Sequence, residues 1–142
     1  KALFNELQEF KIGLEGIILK PNMVMAGMGS IKNNTVDEVA EATVNCLLAT
    51  VPADVPAIAF LSGGQSPKEA SEHLNAINEN FKGRLPWVVS FSFARALQQP
   101  ALDIWKGQEA NVKRAQSMLF HRTKLNQAAG LGNYNVEMEK WE

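Results

Sequence analysis

Residues 57–77, AIAFLSGGQSPKEASEHLNAI, contain a short apolar run, a turn with two adjacent glycines, and an amphipathic stretch. The run at 57–61 is typical of a strand in a parallel sheet, which is apolar throughout because both of its faces are buried. Ser66, Pro67 and Glu69 predict a helix start, since they supply a cap, a proline at the first helical position and a capping-box glutamate. We therefore predict a strand and then a helix that runs to about residue 78, with a buried stripe of Ala70, Leu74 and Ile77.

An upstream segment has the same order of strand and helix. A short helix over residues 2–10 leads through a glycine into the apolar run 14–19, which ends at Lys20. Thr35 and Glu38 have the spacing of a capping box and predict a second amphipathic helix. The residues that we expect on its buried face are Val36, Val39, Ala40, Thr43, Val44 and Leu47.

A downstream segment begins with the apolar stretch 87–93, WVVSFSF. We predict a strand there, followed by a short helix over residues 94–98. Pro100 separates this helix from residues 101–105, because a proline lacks the amide that a helix interior needs. A third unit of strand and helix is therefore expected.

A long helix is predicted from about residue 108 to 129, where Gly130 is a suitable stop. Residues 131–142 are expected to form a surface tail. Units of strand and helix that repeat about every 30 residues predict a parallel sheet covered by helices, and they match the repeat of an eightfold β/α barrel. Three such units cannot close a barrel by themselves.

Composition excludes several classes of protein. With 142 residues, 46% of them hydrophobic and 20% charged, the chain can bury a core, so disorder is disfavoured. A net charge of -1 without a basic cluster disfavours nucleic acid and anionic membranes as partners. No apolar run reaches the roughly 18 residues of a membrane span. Cys46 is the single cysteine, which excludes an intrachain disulfide, suits a reducing compartment and predicts a small buried hydrophobe on its helix.

Lys20 is the first candidate for chemistry, because it ends a predicted buried strand and Pro21 turns the chain away after it. Its ammonium would point into the mouth of an α/β fold. Desolvation there disfavours the charged form, so the amine can lose its proton and attack a carbonyl to form a Schiff base. The alternative is a strand-end lysine that simply reaches solvent.

Polar groups also follow the other two strands. Ser62, Gly63 and Gly64 can present a hydroxyl and backbone amides to an anion, or they can form only a tight turn. The Arg95 guanidinium and the backbone amides of Ala94 and Arg95 lie at the start of a predicted helix, where the helix dipole favours a dianion. Alternatively, Arg95 forms only a surface ion pair. Together the two groups match the phosphate site that eightfold barrels build after their last two strands.

Other residues are weaker candidates. His73 and His121 have no second histidine or cysteine at ligand spacing, so no metal site and no catalytic role is expected for either. Glu15 falls within the first predicted strand and could be an inward carboxylate with satisfied hydrogen bonds. Its role stays open.

Three stretches resemble class I (Schiff-base) fructose-1,6-bisphosphate aldolases in their order and spacing: 14–24, LEGIILKPNMV; 60–66, FLSGGQS; and 90–97, SFSFARAL. The resemblance implies an eightfold TIM barrel, with residues 1–130 as its C-terminal part carrying strands 6–8. It also implies the reversible cleavage of fructose 1,6-bisphosphate to dihydroxyacetone phosphate and glyceraldehyde 3-phosphate in glycolysis and gluconeogenesis. A cytoplasmic enzyme that is a homotetramer in many members is implied as well.

The resemblance also assigns roles to single residues. Lys20 matches the Schiff-base lysine, and no metal or cofactor is implied because the protonated iminium is itself the electron sink. Two groups of substrate-phosphate contacts are implied, the first by Ser62, Gly63 and Gly64 and the second by Ser92, the backbone at Ala94, and Arg95.

The sequence departs from the family pattern in two respects. Ala94 replaces a common glycine and Phe93 a common tyrosine; a backbone contact at residue 94 survives if its φ stays negative. In addition, the family's acid/base glutamate, further lysines and aspartate belong to earlier strands that this chain lacks. The alternative is therefore a catalytically incomplete phosphate-binding or assembly module.

Overall fold

The computed structural model describes residues 1–27, 29–30 and 34–141 as an α/β fold. Its sheet is parallel, three-stranded and ordered β1–β2–β3. The strands are β1 (Ile18–Leu19), β2 (Ala57–Phe60) and β3 (Val88–Phe91). The helices are α1 (Ala2–Glu9), α2 (Val36–Thr50), α3 (Pro67–Asn80), α4 (Arg95–Trp105) and α5 (Val112–Gly130), and short 3-10 turns lie at Leu14–Gly16, Glu109–Asn111 and Val136–Glu139.

The sheet buries one face. Leu19, Ile58 and Val89 share a register row, and Ile58 and Val89 lie in the core with the apolar faces of α2 and α3. The neighbouring register row, Ile18, Ala57 and Val88, points to the other face of the sheet. That face is not covered by the described residues, and Ile18 is 66% exposed. This open apolar face is what three strand–helix units that do not close a barrel are expected to leave.

Both predicted capping boxes are confirmed. The Thr35 hydroxyl accepts from the Glu38 amide at 3.2 Å, while the Glu38 carboxylate accepts from the Thr35 amide at 2.9 Å. Ser66 and Glu69 form the same pair of bonds at the start of α3, and hydrogen bonding to Ser66 lowers the pKa of Glu69. The predicted stripe of α3 is buried, as is that of α2 apart from its half-buried first residue, Val36.

The first strand is shorter than predicted. Residues Leu14–Gly16 form a 3-10 turn, and Glu15 lies in that turn, exposed, rather than as an inward carboxylate in a strand. The exposed Cys46 also corrects the prediction of a buried cysteine. Its position falls just beside the stripe that α2 turns toward the core, so its thiol faces outward.

The helix α4 is longer than predicted, because it continues through Pro100. A proline inside a helix removes one backbone hydrogen bond and costs about 3 kcal/mol. Packing against α5 offsets this cost, and Ala101 directly after the proline is buried. The helix α5 begins at Val112, later than predicted, because Glu109–Asn111 form a 3-10 turn; it includes Gly130 as its last residue, one residue past the predicted end.

The segment after α5 is anchored to the helices. The Tyr134 ring is buried, and its hydroxyl donates to Glu139 Oε1 at 2.9 Å. Burial raises the pKa of Tyr134. Glu139 Oε2 accepts from Arg122 Nη1 at 2.6 Å, and Arg122 is only 3% exposed. Part of the expected surface tail is therefore packed, while Glu142 lies outside the described residues and the division at residue 130 stays a prediction.

Within the described ranges, none of the helices combines the length and the apolar character that crossing a bilayer requires.

Candidate active site

Parallel pairing continues beyond the strands and brings three loops to one edge of the sheet. The Leu61 amide donates to the Pro21 carbonyl at 3.0 Å, and the Ser92 amide donates to the Phe60 carbonyl at 2.8 Å. The segments after β1, β2 and β3 therefore lie side by side. This carboxyl edge is where open and closed α/β folds bind ligands.

Lys20 directly follows β1 at this edge, as the sequence predicts, but its side chain is exposed. The desolvation that we expected for its amine is absent from the described chain. The physical reason is that β1 pairs with β2 on one side only, so nothing in these residues covers the other side of the strand.

Residues 62–65 form a tight turn after β2, which we call the glycine turn. It contains the first group of predicted phosphate-binding residues, Ser62, Gly63 and Gly64. The Gln65 amide closes it by donating to the Ser62 carbonyl at 3.0 Å. Gly63 has φ +58° and Gly64 has φ +88°, which L side chains rarely adopt. Ser62 is buried while both glycines are exposed, so their backbone faces solvent at the sheet edge.

The loop after β1 that contains Lys20 to Met23, which we call the lysine loop, packs directly on the glycine turn. A Cβ atom placed on Gly63 would lie 2.0 Å from Oδ1 of Asn22. The Asn22 side chain therefore fills the space that a larger residue at position 63 would need. Asn22 follows Lys20 by two residues, so this contact fixes the lysine loop against the glycine turn.

The second group of predicted phosphate-binding residues lies at the start of α4. Ser92, Ala94 and Arg95 are all exposed there. Ala94 is the N-cap residue with φ -97°, so the negative φ that a glycine-to-alanine change requires is present. Alanine offers no side-chain acceptor to the first turn, and uncapped amides at a helix N-terminus favour an anion.

In the part of the chain that the structure describes, no three His, Cys, Asp or Glu side chains gather as they would around a metal ion.

Comparison with known proteins identifies the family. The family model described as fructose-bisphosphate aldolase class-I matches residues 1–142. The chain belongs to this family. The resemblance inferred from the three stretches is thereby confirmed.

Individual aldolases are similar over most of this chain. A cytoplasmic isozyme of fructose-bisphosphate aldolase from Cicer arietinum is 53% identical over 133 residues, which is 94% of this chain and 36% of that protein. Fructose-bisphosphate aldolase B from Sparus aurata is 50% identical over 133 residues, again 94% of the chain and 36% of the relative. The chain thus spans little more than a third of the length of these aldolases.

A solved structure has the same fold. It is the fructose-bisphosphate aldolase of Plasmodium falciparum in complex with TRAP and a small-molecule inhibitor. The TM-score is 0.88 at 45% identity, over 93% of this chain and 38% of that aldolase. The observed sheet and helices are therefore consistent with part of an aldolase barrel.

One contact at this edge of the sheet is not predicted from the sequence, namely that of Gln65 with His73, which was considered above only as a metal ligand or a catalytic group. His73 Nδ1 lies 2.6 Å from Gln65 Oε1. Burial lowers the pKa of His73, although Glu69 and Glu72 act in the opposite direction. One signal was available in the sequence: His73 lies beside Leu74 on the buried stripe of α3, and a buried polar side chain needs a partner.

Proposed function

We propose that the protein containing this chain cleaves fructose 1,6-bisphosphate reversibly to dihydroxyacetone phosphate and glyceraldehyde 3-phosphate, through a Schiff base on Lys20. The contact between Asn22 and Gly63 carries this proposal. It sets the lysine loop beside the glycine turn, so that a nucleophilic amine and an anion site can engage one sugar phosphate.

We further propose that β1, β2 and β3 are strands 6–8 of an eightfold barrel. The open row of the sheet, with Ile18 and Val88 exposed, supports this idea because apolar sheet faces are normally covered. The neighbouring strands of a complete barrel would also pair the free edge of β1. They would then remove water from around Lys20, which favours the neutral, nucleophilic amine.

The substrate phosphates are assigned to the two groups at the sheet edge. One phosphate binds the Ser62 hydroxyl and the amides of Gly63 and Gly64, whose positive φ values turn the backbone outward. The other binds at the start of α4. Its ligands are Ser92, the Ala94 amide and Arg95.

In this mechanism the neutral Lys20 amine attacks the ketone carbon and water leaves, which gives a protonated iminium. The hydroxyl on the fourth carbon gives up its proton and becomes the aldehyde carbonyl, while the electron pair of the bond between the third and fourth carbons moves into the iminium and forms an enamine. The enamine is then protonated, and hydrolysis of the imine releases dihydroxyacetone phosphate and the amine. These proton transfers need an acid/base group, which the family resemblance locates on the earlier strands.

We expect the protein to act in the cytoplasm, since relatives carry the names cytoplasmic and cytosolic isozyme. A homo-oligomer is expected from the family resemblance. A sugar phosphate is the expected partner, with no nucleic acid and no membrane.

Borohydride trapping tests the role of Lys20. The full-length protein is incubated with dihydroxyacetone phosphate and reduced, and the modified peptide is identified by mass spectrometry. We expect the label on Lys20, and we expect Lys20→Arg to abolish both the label and cleavage. Lys68→Arg is the matched control, because Lys68 is exposed on α3 and pairs with Glu72. Labelling of another lysine would refute the assignment.

The exposed Lys20 side chain, and the edge of β1 that none of the described strands pairs, favour one second candidate. Residues 1–142 by themselves would then bind phosphate or assemble with other strands without turnover. Cleavage assays on residues 1–142 separate the two functions. Measurable turnover of fructose 1,6-bisphosphate by these residues alone would exclude the inactive module.

A further inference from the structure

A buried polar pair lies directly behind the glycine turn. His73 on α3 is 5% exposed and Gln65, the last residue of the turn, is 9% exposed. Their side chains meet with His73 Nδ1 at 2.6 Å from Gln65 Oε1. An amide oxygen can only accept, so His73 Nδ1 carries the hydrogen and donates it. Neutral His73 is therefore the tautomer that carries its hydrogen on Nδ1.

The other end of the Gln65 amide reaches the lysine loop. Gln65 Nε2 donates to Met23 Sδ at 3.7 Å, and Met23 is buried three residues after Lys20. The Gln65 backbone amide closes the turn on Ser62. A single residue therefore contacts α3, the glycine turn and the loop after Lys20.

The glycine turn needs a support of this kind. Adjacent glycines have the largest conformational freedom of any residues, so Gly63 and Gly64 do not hold their own conformation. The Gln65 side chain is fixed at both ends in a buried site, and losing the bond from His73 would leave its oxygen unsatisfied. The amide would then reorient toward another donor and move the backbone that closes the turn.

We infer that His73 and Gln65 are positioning residues, which hold the glycine turn in the conformation that binds phosphate and keep it in register with the loop that carries Lys20. The inference rests on the proposed function of the turn as a phosphate site. His73 does not touch the substrate in this scheme, and it acts only through Gln65.

The test compares two substitutions of His73 in the full-length protein. His73→Leu fills the site without a donor, and we expect KM for fructose 1,6-bisphosphate to rise about fivefold to tenfold with kcat within about twofold. His73→Asn keeps a nitrogen donor on Cγ, at the place of Nδ1, and we expect it to restore KM to within about twofold of the parent. Gln65→Met keeps the side-chain length without the amide and should raise KM as His73→Leu does.

Asn75→Leu is the matched control. Asn75 is a buried polar residue on the same helix, but its side chain binds Glu79 and the Tyr134 amide, away from the turn. We expect it to lower thermal stability and leave KM unchanged. A parental KM in folded His73→Leu and Gln65→Met, or a raised KM in a folded His73→Asn protein, would overturn the inference.

A second measurement does not depend on turnover. Hydrogen exchange followed by mass spectrometry reports the Gln65 amide, which is protected by its bond to the Ser62 carbonyl. We expect faster exchange in the peptide over residues 61–66 for His73→Leu, but not for His73→Asn or Asn75→Leu. If the parent protein fails to cleave the sugar, the proposed function fails, yet this comparison still decides the positioning role. Unchanged exchange in His73→Leu would overturn it.

Discussion

Replacing Gly63 with alanine tests how the lysine loop and the glycine turn fit together. Two costs follow from the structure. The first is the left-handed backbone at φ +58°, which costs an L residue about 1 kcal/mol or slightly more. The second is the clash of the new Cβ with Asn22, whose Oδ1 lies at 2.0 Å and whose Cγ lies at 2.7 Å, so that turning the amide about its own axis does not relieve it and the side chain must leave its present rotamer for about 1 kcal/mol. We therefore expect Gly63→Ala to lower the free energy of unfolding by roughly 2 kcal/mol.

The two costs can be separated by a double-mutant cycle. Asn22→Ala removes the atoms that clash but leaves the backbone cost, so Gly63→Ala should cost only about 1 kcal/mol in the Asn22→Ala background. Asn22 is exposed, and its own truncation should have a small effect. Equilibrium denaturation of the four proteins at 25 °C measures the coupling energy.

Equal costs of Gly63→Ala in both backgrounds, within about 0.3 kcal/mol, would show that the two loops are not in contact as described. Gly64→Ala provides a comparison without a clash. A Cβ at Gly64 meets nothing within 4 Å, although its φ is +88°. Its cost should therefore be independent of Asn22, and coupling between the two would contradict the same geometry.

Three further outcomes are expected. Arg122→Met should lower the free energy of unfolding by about 3 kcal/mol in urea denaturation, because it removes the ion pair with Glu139 together with the bonds that Arg122 donates to the Pro67 carbonyl and the Ser71 hydroxyl. Glu139→Gln still offers Arg122 an amide oxygen and leaves the other two bonds in place, so it should cost less; equal costs would contradict this. Burial lowers the pKa of His73, so as the pH falls the unfolded chain takes up a proton on this residue before the folded chain does. The free energy of unfolding should therefore decrease as the pH drops through the ordinary value of 6.5. A His73→Asn protein with the same pH dependence of stability would refute this. Cys46 should react with a thiol reagent in the folded protein without a change in circular dichroism, and reaction only after unfolding would contradict its exposure.

Much of the fold follows from local signals in the sequence. The capping pairs Thr35 with Glu38 and Ser66 with Glu69 need only residues three apart, and both were predicted. Tertiary contacts decide the features that were missed. Pro100 remains inside a helix because α4 packs on α5, and no local pattern contains that information.

The candidate site divides in the same way. The parallel order of the strands was enough to place Lys20 and Ser62 at one edge, because carboxyl ends of neighbouring parallel strands meet there. The bond between His73 and Gln65 depends on how the glycine turn directs a side chain toward α3, which spacing alone does not determine. The exposure of Lys20 likewise depends on what pairs with the free edge of β1.

The complete caps of α2 and α3 have a consequence for the order of folding. Each of these helices joins two parallel strands, so the sheet forms only through contacts between residues distant in sequence, such as Ile18 with Ala57. A helix that is already capped stiffens its crossover and lowers the entropy cost of closing that long loop. We therefore expect the helices to form early and the sheet late. On this order, the lysine loop and the glycine turn would meet only after the sheet has paired, and we expect the candidate site to be among the last parts of the molecule to assemble.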